Sequence, residues 1–177
     1  MFRLQLFPVF LLFIISAATS LCPDTFVDGA ESAMEDNAKT VTFPEPAQDN
    51  IYTTNVKLSS TPARVKVLIE SSAGSGGYAF MAHDVLEGIQ KHPKLEFTPL
   101  ADDEMKERLE SSVSKHGVTV SKPSIEHVKQ MPGASQTYVT PVEVTEAGDY
   151  TAIIAQLRPW APLDGARFYV VHIHAEN

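Results

Sequence analysis

Apolar and polar positions follow four successive patterns along this chain. Met1–Ser20 carries one basic residue, Arg3, then a continuous apolar run, and closes on small residues. Ala18 and Ser20 are spaced like the small-x-small site of a signal peptidase. The run is short for a membrane span, and the pattern predicts a secretory signal over residues 1–20, with export of the remaining chain. Residues 21–50 are acidic and poor in large apolar side chains. Asp24, Asp28, Glu31, Glu35, Asp36, Glu45 and Asp49 stand against Lys39 alone, which predicts a mobile leader that serves solubility. One globular domain is expected over residues 51–177.

Within it, Ile51–Leu58 and Arg64–Ile69 carry the β-branched, alternating residues of strands, separated by Ser59-Ser60-Thr61-Pro62 as turn material. Ser71–Gly77 reads as a flexible loop. Over Tyr78–Lys91, Ala82, Val85, Leu86 and Ile89 fall at the i, i+3, i+4, i+7 spacing of a buried helix face, and His92-Pro93 ends the run. Leu95–Phe97 is a short strand candidate. A second helix is predicted over Asp103–Lys115. Its acidic start (Asp102, Asp103, Glu104) and basic end (Lys115, His116) suit the helix dipole, and Gly117 suits a left-handed cap. Its narrow stripe of Met105, Leu109 and Val113 puts it on the surface of the fold. Val118–Val120 reads as a strand and Ser124–Gln130 as a short helix. The last forty residues give three successive strands, Tyr138–Val144, Tyr150–Leu157 and Arg167–Ile173, broken at Gly148 and at the proline-rich Arg158–Gly165 loop. Short connections favour antiparallel pairing. The expected fold class is α+β: an antiparallel, sandwich-like sheet with two mid-chain helices packed on it.

The corner between the first two of these strands reads Val139-Thr140-Pro141-Val142-Glu143-Val144-Thr145-Glu146-Ala147-Gly148-Asp149-Tyr150-Thr151-Ala152. It resembles the E–F corner of immunoglobulin-like sandwiches, with Val139, Val142, Glu146, Gly148 and Tyr150 at the matching offsets. Gly148 permits a tight corner, and the Tyr150 hydroxyl can bond back to the turn backbone. The resemblance implies that the three strands are E, F and G. Ala152 stands where that family places its second disulfide cysteine.

Charge and cysteine content narrow the partners. With 22 acidic against 14 basic residues, the net charge is −8. Such a chain has no attraction for phosphate backbones or anionic lipid, so nucleic acid is a poor partner. The single cysteine, Cys22, cannot close an intramolecular disulfide. It is either a thiol without consequence or one half of an intermolecular bridge. No second apolar run is long enough to span a membrane, and no N-glycan acceptor is present. Soluble secretion to the extracellular space is the expectation.

Three constellations are candidates for chemistry. His172-x-His174 on a strand points both imidazoles to one face. They would suit zinc or copper if His83, His116, His127 or a carboxylate supplied a third ligand; the competing assignment is the solvated end of a terminal strand. Ala73-Gly74-Ser75-Gly76-Gly77 resembles the nucleophile elbow of α/β-hydrolases. Ser75 would be the nucleophile, Asp149 or Asp164 the orienter and His172 or His174 the base; the competing assignment is a plain flexible loop. The same glycines before a helix would offer N–H groups to an anion, though no P-loop lysine accompanies them. His83 and Glu87, four apart, are expected to form a solvated pair. The third constellation, Arg158–Gly165, holds the chain's only tryptophan between two prolines. Arg158, Trp160 and Leu163 there are the first candidates for recognition, since Trp and Arg are enriched at interface hot spots and prolines limit the entropy lost on ordering. The alternative is that Trp160 folds back as a lid on the core. The function expected is non-catalytic binding of an extracellular protein or a small amphipathic ligand, without a cofactor. A small secreted serine hydrolase and an extracellular metal-binding protein are the alternatives.

Overall fold

A computed structural model describes residues 38–43, 50–71, 76–95, 97, 100–127, 135–162 and 164–177. The predicted signal, Cys22, Ser75 and Leu163 lie outside these residues. The chain builds two β-sheets and, among the described residues, one α-helix.

Alternation sets the first sheet. In β3 (Ala63–Ser71), Val65, Val67 and Ile69 are buried while Arg64 and Lys66 face outward. The strand pairs antiparallel with β8 (Gln136–Val144) from Ala63↔Val144 to Ser71↔Gln136. Along the other edge of β8, β6 (Val118–Val120) pairs with Val142–Val144 and β7 (Ser124–His127) with Thr137–Val139, and β5 (Val113–Lys115) pairs with β6. β1 (Lys39–Val41) adds to β3 in parallel. It lies inside the stretch expected to be a leader: Val41 is buried and Phe43 packs on the core, so the V-x-F alternation finds apolar neighbours. The second sheet has the order β2 (Ile51–Leu58), β10 (Arg167–Ala175), β9 (Gly148–Leu157), β4 (Ala79–Glu87), with β2 and β10 parallel and the other pairs antiparallel. Neighbours β3-β8-β6 opposite β4-β9-β10 reproduce the B-E-D and C-F-G orders of an immunoglobulin-like sandwich.

The sheets share one core. Val65, Val67, Ile69, Val142 and Val144 belong to the same buried cluster as Val85, Ala152, Ile154, Val171 and Ile173. The second sheet is also covered on its other face. There Met81, Ala155 and Leu157 pack with Met105 of the helix α1 (Asp102–Glu110), with Phe97, Leu100, Leu109, Ala166 and Phe168 around them. Two-sided burial explains why β9 is apolar almost throughout rather than alternating.

Four sequence expectations are corrected. Tyr78–Lys91 is not a helix; it contains β4. A bulge between Ala82 and Asp84 shifts the register, so Phe80, Ala82 and Val85 all enter the core at a spacing that imitates a helix. The second helix stops at Glu110. The Ser111 N–H and hydroxyl both turn back to the Arg108 carbonyl, and Val113–Lys115 continues as a strand. His116 (φ 53°) and Gly117 (φ 71°) then form the two-residue turn of a β5–β6 hairpin rather than a helix cap. Ser124–His127 is a strand, while 128–130 of that expected helix lie outside the described residues. Leu95 and Phe97 lie in irregular backbone.

The corner at Gly148 is built as its sequence implies. The Tyr150 hydroxyl donates toward the carbonyls of Glu146 and Ala147, both at 3.2 Å. A Cβ on Gly148 would lie 2.9 Å from that hydroxyl, so the corner requires glycine. Tyr150→Phe is expected to lower the unfolding free energy by about 1 kcal/mol, measured by urea titration, because the half-buried turn carbonyls lose the hydroxyl proton they share.

Candidate binding surface

Three connections leave one end of the sandwich. Ser71 ends β3 opposite Gln136, which begins β8. Leu157 ends β9 beside Ala79, which begins β4, and Gln156 faces Arg167 at the start of β10. The β3–β4, β7–β8 and β9–β10 connections therefore share that end.

The β9–β10 connection is shaped by its prolines. Ala161 N–H donates to the Arg158 carbonyl at 3.0 Å, closing a turn with Pro159 second and Trp160 third; Asp164 N–H donates to the Ala161 carbonyl at 3.0 Å, closing another with Pro162 second. Proline presets φ for the second position of such turns, so much of this loop is ordered by local chemistry. Trp160 stands at the tip with 69% of its surface exposed. It does not fold back into the core. One edge of the indole rests on Gly77, at so close an approach that a Cβ there would lie 2.3 Å from Cη2.

Arg158 anchors the base of the loop. Its guanidinium lies 4.7 Å from the centre of the Tyr78 ring and 3.2 Å from the Asp164 carboxylate. Across the loop, a Cβ on Gly165 would sit 3.0 Å from the Tyr78 hydroxyl. Gly77 and Tyr78 on one connection thus hold Trp160 and Arg158 on another. On the far side of Trp160, a groove of ≈ 230 Å³ runs to α1, lined by Asp102, Met105, Lys106, Leu109, Pro159 and Trp160. A separate cavity of ≈ 340 Å³ opens beside Phe43, Tyr52 and Tyr169, with Glu70 and Arg167 among its walls.

Of the hydrolase residues, Ser75 lies outside the described residues, and the other candidates stand in two separate places. His174 pairs with Asp149, Nδ1 to Oδ1 at 2.5 Å, while Asp164 stays with Arg158.

His172 and His174 share the outer face of β10, yet they are engaged separately. His172 is buried; its Nε2–H donates to the Gln90 carbonyl at 3.1 Å, and Nδ1 lies 3.2 Å from the Asn55 side-chain oxygen. The Nε2 nitrogen, one of the two that could meet zinc or copper, is thus already engaged by a backbone carbonyl. Of the proposed third ligands, His116 is exposed in the β5–β6 turn, and the His127 side chain lies outside the described part. Among the described residues, no group of three or more His, Cys, Asp or Glu side chains is placed to hold a metal ion. His83 is not in a solvated pair with Glu87; its ring packs against Phe97 and Phe168 beneath α1. No helix among the described residues is long and apolar enough to cross a membrane.

Sequence inspection singled out Arg158 and Trp160 but missed Gly77 and Tyr78 as their supports. The signal was the Gly76-Gly77-Tyr78 triplet, which the reading split between the flexible loop Ser71–Gly77 and the helix expected from Tyr78. No protein-family model matches this chain, and neither does any curated protein. Its fold is similar to that of PbICP-C, solved in complex with falcipain-2 (TM-score 0.55, 15% identity, covering 78% of this chain and 100% of that one). Weaker likenesses are to Amebosin (TM-score 0.44, 12% identity, 78% and 98% covered) and to the cysteine protease inhibitor EhICP2 from Entamoeba histolytica (TM-score 0.37, 17% identity, 77% and 96% covered).

Proposed function

We propose that this protein is an exported, non-catalytic binding protein that engages a cysteine protease through the sandwich end carrying Trp160. The observation that carries this reading is Trp160 itself: a large aromatic ring exposed at a proline-shaped tip, yet held in place by Gly77 and by the Arg158–Tyr78 stack beneath it. An aromatic side chain ordered before contact loses little entropy on binding, which is the property of a hot-spot anchor. The choice of partner class draws on the fold shared with PbICP-C, which has been solved bound to falcipain-2. Export is inferred from the apolar opening of the sequence.

Falcipain-2 is the probe for the test. The protein is expected to inhibit its peptide hydrolysis. Trp160→Ala is expected to weaken inhibition by at least about tenfold without lowering the melting temperature, since the ring is a surface feature. Inhibition unchanged by the substitution, or lost only together with the fold, contradicts the assignment.

A further inference from the structure

Beneath the loop end lies a polar link that crosses the core. Gln156, 2% exposed, projects from β9 to the same inter-sheet side as Ala152 and Ile154. Its Nε2 donates to Ser71 Oγ at 3.0 Å, at the end of β3 in the opposite sheet. Its Oε1 accepts from the Tyr169 hydroxyl at 2.9 Å, on β10. Tyr169 is in turn held by Tyr52, stacked at 4.8 Å, and Phe43, edge-on at 5.1 Å. Burial pushes the Tyr169 phenol up to about 12, so it remains a donor across the range where proteins work.

The placement gives this link a purpose. Ser71 is the last residue before the connection that carries Gly77, and Gln156 stands two residues before Arg158. Apolar contacts between two sheets are non-directional and tolerate sliding. A satisfied hydrogen-bond chain in a low-dielectric interior fixes one separation. We propose that Gln156 is a positioning residue: by tying the ends of β3, β9 and β10 together, it sets the distance at which Trp160 meets Gly77. This rests on the assignment of the Trp160 end as the contact surface.

The experiment replaces the whole link at once, with Gln156→Met, Ser71→Ala and Tyr169→Phe combined so that no partner is left unpaired in the core; Ser71→Ala alone, which leaves Gln156 Nε2 unpaired and is read by the indole decay and not by the melting temperature, serves if the triple variant does not fold. Trp160 is the chain's only tryptophan, so its anisotropy decay and acrylamide quenching report the loop directly. Faster local motion of the indole is expected at an unchanged melting temperature. The dissociation rate from falcipain-2 is expected to rise about tenfold, and to show no further rise when the same changes are made in a Trp160→Ala background. An unchanged Trp160 decay in a folded variant overturns the proposal, as does an equal rise in dissociation rate in both backgrounds. If Trp160→Ala leaves falcipain-2 inhibition intact, the binding assignment fails separately, and the fluorescence alone decides the role of Gln156.

Discussion

Gly77→Ala is expected to weaken capture of falcipain-2 by about ten- to a hundredfold, a loss of the size seen when a hot-spot anchor is misplaced. The added Cβ would lie 2.3, 3.1 and 3.3 Å from Cη2, Cζ2 and Cζ3 of Trp160. Something must move, and the exposed indole moves more cheaply than strand-anchored backbone. The ring swings off its seat, and the entropy of ordering it returns at the moment of binding. Gly77 also has φ +69°, which an L-residue adopts at a cost of about 1 kcal/mol. Gly88→Ala separates the two effects. Gly88 has φ +77°, but a Cβ there would meet only Gln90 Nε2 at 3.8 Å, and its N–H bonds to Asp149 at the other end of the sandwich. Both variants should lose similar stability in urea titrations. Only Gly77→Ala should raise the dissociation rate. Equal affinities for the two would show that the indole seat is irrelevant to binding.

The residues of the tip were legible in sequence because their chemistry is local. Pro159 and Pro162 impose turns wherever they stand, and Gly148 and Tyr150 make their corner from a handful of neighbouring positions. β8, β9 and β10 were legible for a related reason: long runs of β-branched residues bounded by Gly and Pro admit few other conformations. Wherever tertiary contacts decide, sequence patterns misled. Met81 and Leu157 are apolar because α1 covers them, and α1 is distant in the chain. The bulge between Ala82 and Asp84 then turned a strand into an apparent helix. β1 was obscured because three residues carry no period of their own; its position is fixed by β3, Lys39 against Val65 to Val41 against Val67. Gln156 was invisible for the same cause. A lone amide in an apolar strand gains a role only when Ser71 and Tyr169 arrive from elsewhere.

Stability is expected to fall on mild acidification, and His83→Leu is expected to remove the first part of that fall. The His83 ring lies 6.0 Å from Phe97 and 5.5 Å from Phe168, and its backbone carbonyl accepts a hydrogen bond from Arg108 of α1 at 2.6 Å. Burial holds the imidazole below its ordinary pKa. The Asp84 carboxylate opposes that shift, while the charges of Arg108 and Lys115 reinforce it. The native state therefore binds fewer protons than the unfolded chain just below the usual imidazole value of about 6.5. Stability from this group is complete above that pH and is lost as the pH falls toward the depressed native value, with a slope of at most about 1.4 kcal/mol per pH unit. Asp84 acts lower on the scale. Burial alone would raise its carboxyl, but hydrogen bonds from Lys115 at 2.6 Å and the Val85 N–H at 2.8 Å outweigh that and hold it below the ordinary range. Its contribution is present above about pH 3.9 and lost beneath. Urea titrations across pH should show both losses in the wild type and only the lower one in His83→Leu. Since His83 carries α1 through Arg108 and Phe97, the first loss should be local, with faster hydrogen exchange in Asp102–Glu110 while the paired core of β3 and β8 stays protected. Identical profiles for the two proteins would remove His83 as the cause.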